Sequence, residues 1–162
     1  MFKELYRRLD AKQFTLLAIL ICTLGDLSIG AMIYFKFTDA NMLNEQFGLA
    51  NQLLAQQGLT VQDLPSNFQQ ELMQLMQKTT ITALIILYLM HSFVYFQFYR
   101  NKLTAYYYVK MMAWLGPIFC LMIGYSNATT NSLYFYFYLQ AILYFFIARG
   151  MGQFPLPVKK KE

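Results

Sequence analysis

Apolar residues are concentrated in four long stretches of the chain, and polar residues fall between them. The stretches cover residues 14–37, 79–99, 104–125 and 132–149. About 20 consecutive apolar residues allow one helix to cross the hydrocarbon core of a bilayer. Backbone groups inside the hydrocarbon must be paired within their own segment, which favours helices. The pattern therefore predicts an all-α integral membrane protein with four transmembrane helices.

The segment between the first two stretches, residues 38–78, is polar but has helical periodicity. Gly58 is typical of a helix end, and Pro65 is typical of a helix start. We therefore expect two amphipathic helices that form a hairpin in a long first extracytoplasmic loop, the second of them able to continue into the span at 79–99. Their apolar stripes include Phe47 and Leu54 on the first helix, and Phe68 and Met76 on the second.

Both ends of the chain are basic. Residues 1–13 place Phe2, Leu5 and Leu9 on one helical face opposite the charged residues, which predicts an amphipathic segment at the membrane interface. Residues 150–162 contain three consecutive lysines and predict a flexible basic cytoplasmic tail beside anionic lipid. Membrane lipid is thus an expected partner.

Lysine and arginine are biased to one side of the predicted topology. Most of them precede the first span, separate the second from the third, or follow the fourth: Lys3, Arg7, Arg8, Lys12, Arg100, Lys102, Arg149, Lys159, Lys160 and Lys161. Segments rich in these residues stay in the cytoplasm. We therefore predict a plasma (inner) membrane protein with both termini cytoplasmic. The net charge of +5 then reflects topology, and no nucleic-acid partner is predicted.

Each predicted span contains a polar group at depth. Such groups are costly in a bilayer, and they mark a functional site or a contact within a helix bundle. In chain order they are Asp26, His91, Lys110 and Gln140; Tyr88 and Tyr95 share the helical face of His91, and Tyr136 and Tyr144 share that of Gln140. These eight residues predict a polar interior. The pattern leaves open whether it is a pathway, a binding pocket or a sealed hydrogen-bond network.

Two placements of Lys110 are compatible with its position in the third span. Its side chain can extend to the cytoplasmic interface, or it can face inward and pair with Asp26. Gly116, Cys120 and Gly124 form a series of small residues that packs against protein rather than lipid. This series favours the inward placement.

Sequence motifs of enzymes and metal sites are absent. The chain has no HExxH, no GxSxG and no CxxC, and its single histidine cannot supply paired haem ligands. No catalytic residue, metal or cofactor is therefore predicted.

Three functions are compatible with these features. The favoured one is a small homo-oligomer of the channel or transporter class, which passes an ion or small solute through the polar interior or between subunits. Asp26 and His91 are then the expected selectivity or proton-linked residues. The alternative is a non-catalytic assembly or accessory protein that binds a protein partner through the hairpin. A membrane enzyme acting on lipid is the second alternative.

Overall fold

The computed structural model is helical throughout its regular secondary structure. It describes residues 2–38, 67–126 and 134–154, with Gly48, Gln52, Ala55 and Gln56. The helices are α1 (Phe2–Arg7), α2 (Ala11–Thr38), α3 (Phe68–Tyr99), α4 (Leu103–Ser126) and α5 (Tyr134–Gly150). The predicted all-α class is thereby confirmed for these residues. Phe47 and Leu54, predicted to lie on the first hairpin helix, are outside the described residues.

Within residues 2–38, 67–126 and 134–154, three helices are long and apolar enough to cross a membrane. They are Ala11–Phe37 within α2, Gln70–Tyr99 within α3, and Leu103–Ser126, which is α4. The fourth predicted span corresponds to α5, which has 17 residues in the described chain and a length of about 25 Å at 1.5 Å per residue. Residues 132 and 133 of that predicted span lie outside the described residues.

The surface of the long helices is apolar, and buried positions include polar groups. Leu20, Leu89 and Phe135 are among the exposed large hydrophobic side chains, whereas Asp26 and Gln140 are buried. Water would disfavour both placements, since exposed apolar area and buried polar groups cost free energy. A hydrocarbon surrounding removes the first cost, so the exposure pattern suits a membrane environment.

A capping box separates α1 from α2. The Gln13 backbone N–H donates to the Asp10 carboxylate at 2.7 Å, and the Asp10 backbone N–H donates to the Gln13 side-chain oxygen at 3.0 Å. These two bonds pair backbone donors that have no partner within the helix. The predicted segment 1–13 is consequently divided between α1 and the first turn of α2.

Tyr6 attaches α1 to the end of α5. Its hydroxyl donates to the Phe146 carbonyl at 2.6 Å, and its ring stacks on the Phe146 ring with centroids 4.8 Å apart. Phe14 and Phe154 meet the Tyr6 ring edge-on. The side chain is buried, so α1 is held by one hydrogen bond and a small aromatic cluster.

Tyr6→Phe is expected to lower the free energy of unfolding by about 1 kcal/mol, because it removes the hydrogen bond and keeps the ring. Burial raises the pKa of Tyr6, and the nearby Arg149 opposes this only in part. The neutral hydroxyl is therefore favoured in the folded state, and its contribution is lost as the pH rises above about 10. Thermal unfolding of both proteins in detergent checks this. The difference between them should shrink from about pH 8 to about pH 11, and a constant difference would contradict it.

A tight turn joins α3 to α4. The Lys102 N–H donates to the Gln97 carbonyl at 3.0 Å, and the Asn101 N–H donates to the Phe98 carbonyl at 2.9 Å. Asn101 has a φ of 57°. This combination is a Schellman motif, and asparagine tolerates the left-handed conformation that it requires. The motif reverses the chain direction, so the end of α3 and the start of α4 run antiparallel beside each other.

Small residues line the face of α4 that packs against α5. Ala113, Gly116, Cys120 and Gly124 are buried on this face. A Cβ at Gly124 would lie 3.3 Å from the Tyr138 ring. The small face thus lets the two helices approach closely. Helix α4 continues through Pro117 to Ser126, as membrane helices tolerate.

Backbone contacts divide the chain into two compact units. The first contains Met1–Asp26 and Met90–Glu162, and the second contains Leu27–Leu89. In the second unit, the Tyr88 hydroxyl lies against Gly30, where an added Cβ would be 2.7 Å from Tyr88 Cζ. A side chain at position 30 would require the end of the Tyr88 side chain to move. The polar cluster described below lies entirely in the first unit.

Candidate functional site, a buried hydrogen-bonded cluster

Asp26 is the centre of a buried polar cluster in the first unit. It lies on α2, and only 8% of its surface is exposed. Its Oδ2 atom accepts a hydrogen bond from the Tyr95 hydroxyl at 2.5 Å and lies 2.8 Å from His91 Nδ1. Short bonds to a carboxylate oxygen are typical when the acceptor is charged. The Tyr95 hydroxyl and His91 Nδ1 therefore converge on one oxygen of a carboxyl group that is removed from solvent.

His91 connects Asp26 to a third helix. It lies on α3 with 6% of its surface exposed. While Nδ1 faces Asp26, Nε2 lies 2.8 Å from the Tyr108 hydroxyl of α4. Both ring nitrogens are thus engaged, which fixes the orientation of the imidazole. The result is a continuous hydrogen-bonded chain from α2 through α3 to α4.

The chain of hydrogen bonds runs from the interior of the unit toward its surface. Asp26, His91 and Tyr95 are buried, whereas Tyr108 is half-buried. Tyr95 follows His91 by one helical turn, so both side chains leave α3 on the same face. Tyr108 reaches His91 because the turn at Asn101 brings the two helices together. The cluster therefore depends on three helices and one turn.

The donor and acceptor arrangement allows two protonation states of His91. In the neutral ring, Nδ1–H donates to Asp26 and Nε2 accepts from the Tyr108 hydroxyl. In the charged ring, both nitrogens donate, and Tyr108 accepts after its hydroxyl rotates. The contact between Nε2 and the Tyr108 oxygen is kept in both states, with donor and acceptor exchanged. The cluster can thus gain or lose one proton with little structural change.

A second polar contact joins α5 to α2. The Gln140 amide donates from Nε2 to the Ile21 carbonyl at 2.9 Å, and Gln140 is buried. The Tyr136 hydroxyl lies 3.4 Å from Gln140 Oε1. One turn further along α5, the Tyr144 ring lies against Gly116, where an added Cβ would be 2.7 Å from ring carbons. On its other side, Tyr144 lies against Gly25 of α2.

The predicted polar residues thus occupy different places. Asp26, His91 and Tyr95 form one cluster, and Gln140, Tyr136 and Tyr144 form the contact between α5 and α2. Tyr88 packs on Gly30 in the second unit. Of the hairpin residues predicted to bind a partner, Phe68 is exposed and Met76 is half-buried on α3.

Of the two placements considered for Lys110, the structure does not show the pairing with Asp26 among the described residues. Lys110 is half-buried, and it lines an open recess with Trp114 and Arg149. In the described part of the chain, His91 lies within ion-pair distance of Asp26. Since His91 and Tyr95 already occupy Oδ2, the third helix contributes a tyrosine to the cluster and turns its lysine to the outside.

Tyr108 was not among the residues that the sequence indicated for the polar interior. It belongs to a run of three tyrosines at the start of α4, which is typical of an interfacial belt. The sequence signal that could have indicated it is its distance from the turn. His91 lies ten residues before Asn101 and Tyr108 seven residues after it, so an antiparallel pair brings this part of α4 near His91 but does not distinguish Tyr108 from Lys110.

Metal-ligating side chains do not cluster in the part of the chain that the structure describes. In residues 2–38, 67–126 and 134–154, no three His, Cys, Asp or Glu side chains are grouped as a metal ion would need. Cys22, one turn before Asp26 on α2, is a buried free thiol. The cluster is thus one of exchangeable protons on oxygen and nitrogen.

Comparison of the chain with protein-family models, curated proteins and solved structures gives no match in any of the three.

Proposed function

We propose that this chain is a small membrane transport protein of the channel or transporter class, in which movement of an ion or small solute is linked to protonation of the Asp26–His91 pair. The supporting observation is the buried chain of hydrogen bonds from Asp26 through His91 to Tyr108. A polar contact that only holds helices together does not need ionisable side chains, since amides and hydroxyls can form it. Ionisable groups at this depth are costly and are typical of proton relays and ion pathways.

The charge of the pair supports coupling to a cation. A carboxylate beside a neutral imidazole carries one negative charge, and addition of one proton to His91 makes the pair electrically neutral. A cation and a proton therefore compete for the same site electrostatically. Such competition is the simplest physical basis for exchange of a proton against a cation.

The proposed topology has four spans with both termini in the cytoplasm of a plasma (inner) membrane. The three long apolar helices and the apolar α5 support the number of spans, and the Lys/Arg bias supports the orientation. Four helices leave little room for a pathway within one chain. A homo-oligomer, with the pathway inside each bundle or between subunits, is therefore part of the proposal.

Asp26→Asn is expected to abolish proton-linked flux, because an amide keeps the size of the side chain and loses the exchangeable acid. The measurement is proton uptake into liposomes that contain the purified protein and a pH-sensitive dye, driven by a potassium diffusion potential. Wild-type liposomes should acidify faster than empty ones, and the variant should match empty liposomes. Uptake should be recorded with sodium and with choline as the external cation, because external potassium would abolish the driving potential.

Asp10→Asn is the matched control, since it makes the same chemical change at the helix cap outside the cluster, where asparagine is also a good capping residue. This variant should retain wild-type uptake. Equal uptake by wild type and Asp26→Asn would contradict the proposal. Wild-type uptake no faster than that of empty liposomes under either cation would contradict it as well.

An accessory role has one observation in its favour. The first turns of α3 carry Phe68 and Leu75 exposed on the described chain, seven residues apart and so on one helical face. An apolar stripe of this kind suits a protein partner. Leu75→Glu should then abolish co-purification of that partner and leave proton uptake unchanged, whereas the exposed control Gln74→Glu should change neither.

A further inference from the structure

An open recess lies where the first turns of α4 meet the end of α5. Its volume is about 350 Å³. All of its lining belongs to the first compact unit. The lining residues are Lys110, Trp114, Ala148, Arg149, Gly152 and Gln153.

The recess is positively charged. Lys110 is half-buried on α4, and Arg149 lies in the last turn of α5. The lining contains no acidic residue. Among the described residues, the ion pair within 4.0 Å is that of His91 with Asp26, so neither cation faces a carboxylate there. Two cations and the Gln153 amide therefore converge on one space, which suits an anion that accepts several hydrogen bonds.

An exposed apolar seam continues from the recess along both helices. Trp114 and Phe145 meet edge to face across the two helices, with ring centroids 6.3 Å apart. Beyond them, Ile118 on α4 and Ile142 on α5 are also exposed. Trp114 and Ile118 follow Lys110 at four-residue spacing, which keeps them on one helical face. Phe145 and Ile142 precede Arg149 by four and seven residues and share a face of α5 in the same way. A charged end and an apolar track are thus adjacent.

We propose that the recess binds the phosphate headgroup of an anionic phospholipid, whose acyl chains lie along this seam. A phosphate diester supplies the acceptor oxygens that Lys110, Arg149 and Gln153 can bind. The seam favours lipid over free phosphate, since an inorganic ion would leave the apolar track unused. Trp114 lies between the two parts, where its exposed ring can contact the acyl chains. The proposal does not depend on the transport function.

The single tryptophan of the chain makes the recess directly observable. Trp114 is the only tryptophan, so its fluorescence reports on this site alone. The protein is placed in phosphatidylcholine bilayers that contain either brominated phosphatidylglycerol or brominated phosphatidylcholine at equal mole fraction. Each cation is expected to strengthen binding of an anionic lipid about fivefold. With two cations, we expect phosphatidylglycerol to be preferred over phosphatidylcholine roughly 30-fold at the quenching site.

Charge-removing variants test which residues cause the preference. Lys110→Gln with Arg149→Gln should reduce the preference to near that of a zwitterionic lipid. The matched control is Arg100→Gln with Lys102→Gln, which removes two exposed cations near the same end of the bundle and outside the recess lining. The control should keep most of the preference. Each single variant should lose about fivefold, which keeps the test available if the double variant does not fold.

Inorganic phosphate distinguishes the two sources of the anion. Millimolar phosphate should leave quenching by brominated phosphatidylglycerol unchanged. Reversal of the quenching by free phosphate would overturn the assignment to a lipid. Equal quenching of the wild type by the two brominated lipids, or equal loss of preference in the control and the recess variants, would overturn it too.

Discussion

His91→Phe is expected to lower the free energy of unfolding by about 3–5 kcal/mol, the largest change predicted for this chain. The substitution keeps an aromatic ring but leaves the buried Asp26 without its nitrogen partner. An uncompensated buried charge is far more costly than the loss of a pair as a whole. Unfolding in mixed micelles, followed by circular dichroism, measures the change.

Removal of the whole cluster should restore most of this stability. The triple variant Asp26→Leu, His91→Phe and Tyr95→Phe leaves no buried carboxylate, and it should return to within about 1–2 kcal/mol of the wild type. The same variant should be inactive in proton uptake. This combination separates a functional cluster from a structural one, because a cluster retained for stability would make the triple variant the least stable protein of the set.

Met90→Phe is the matched control for this series. Met90 is the neighbour of His91 on α3, and its side chain is exposed. The change should stay within about 0.5 kcal/mol. If His91→Phe and Met90→Phe shift the unfolding equally, the buried pair does not form as described.

Gly116→Ala is expected to lower the free energy of unfolding by about 1–3 kcal/mol, because the added methyl group overpacks the interior. A methyl group there would lie 2.7 Å from carbons of the Tyr144 ring, which is itself held against Gly25 on the opposite side. The ring cannot move away without displacing α2. We therefore expect the variant to loosen the packing of α2, α4 and α5 around Tyr144.

Two further variants identify the Tyr144 ring as the cause. Gly124→Ala lies on the same face of α4, with 3.3 Å to the nearest atom, and should be tolerated much better. Combination of Gly116→Ala with Tyr144→Leu should cost less than the sum of the two single changes, because a smaller side chain makes room for the methyl group. Additive losses in unfolding measurements would show that Tyr144 is not the residue in the way.

Hydrophobic periodicity is sufficient to predict the long helices among the described residues, because long apolar stretches favour helices in a bilayer. It allows the second amphipathic helix either to end before the span at 79–99 or to continue into it. The polar turns from Phe68 to Lys78 and the predicted span at 79–99 form one continuous helix. Helical hydrogen bonds simply continue across the change in polarity, and nothing in the sequence between them interrupts the helix.

The candidate site could be predicted in part from the free-energy cost of placing ionisable side chains inside a membrane. Asp26 and His91 stand out because acidic and imidazole groups are rare at such depth, and Tyr95 shares the face of His91. Tyr108 and Lys110 could not be assigned in this way. Their placement depends on the rotation of α4 about its axis, which is set by the turn at Asn101 and the small face packed on α5. These are tertiary effects that single-helix patterns do not contain.

Nitrogen NMR of histidine measures whether the Asp26–His91–Tyr108 chain takes up a proton while its three side chains stay in contact. His91 is the only histidine, so labelling with ¹⁵N-histidine gives one pair of ring signals from the protein in bilayers. We expect a neutral ring protonated at Nδ1 at high pH. On acidification, within the range where the helices stay intact, the ring should convert to a cation with both nitrogens hydrogen-bonded. Ring signals that keep one protonation state throughout that range would contradict it.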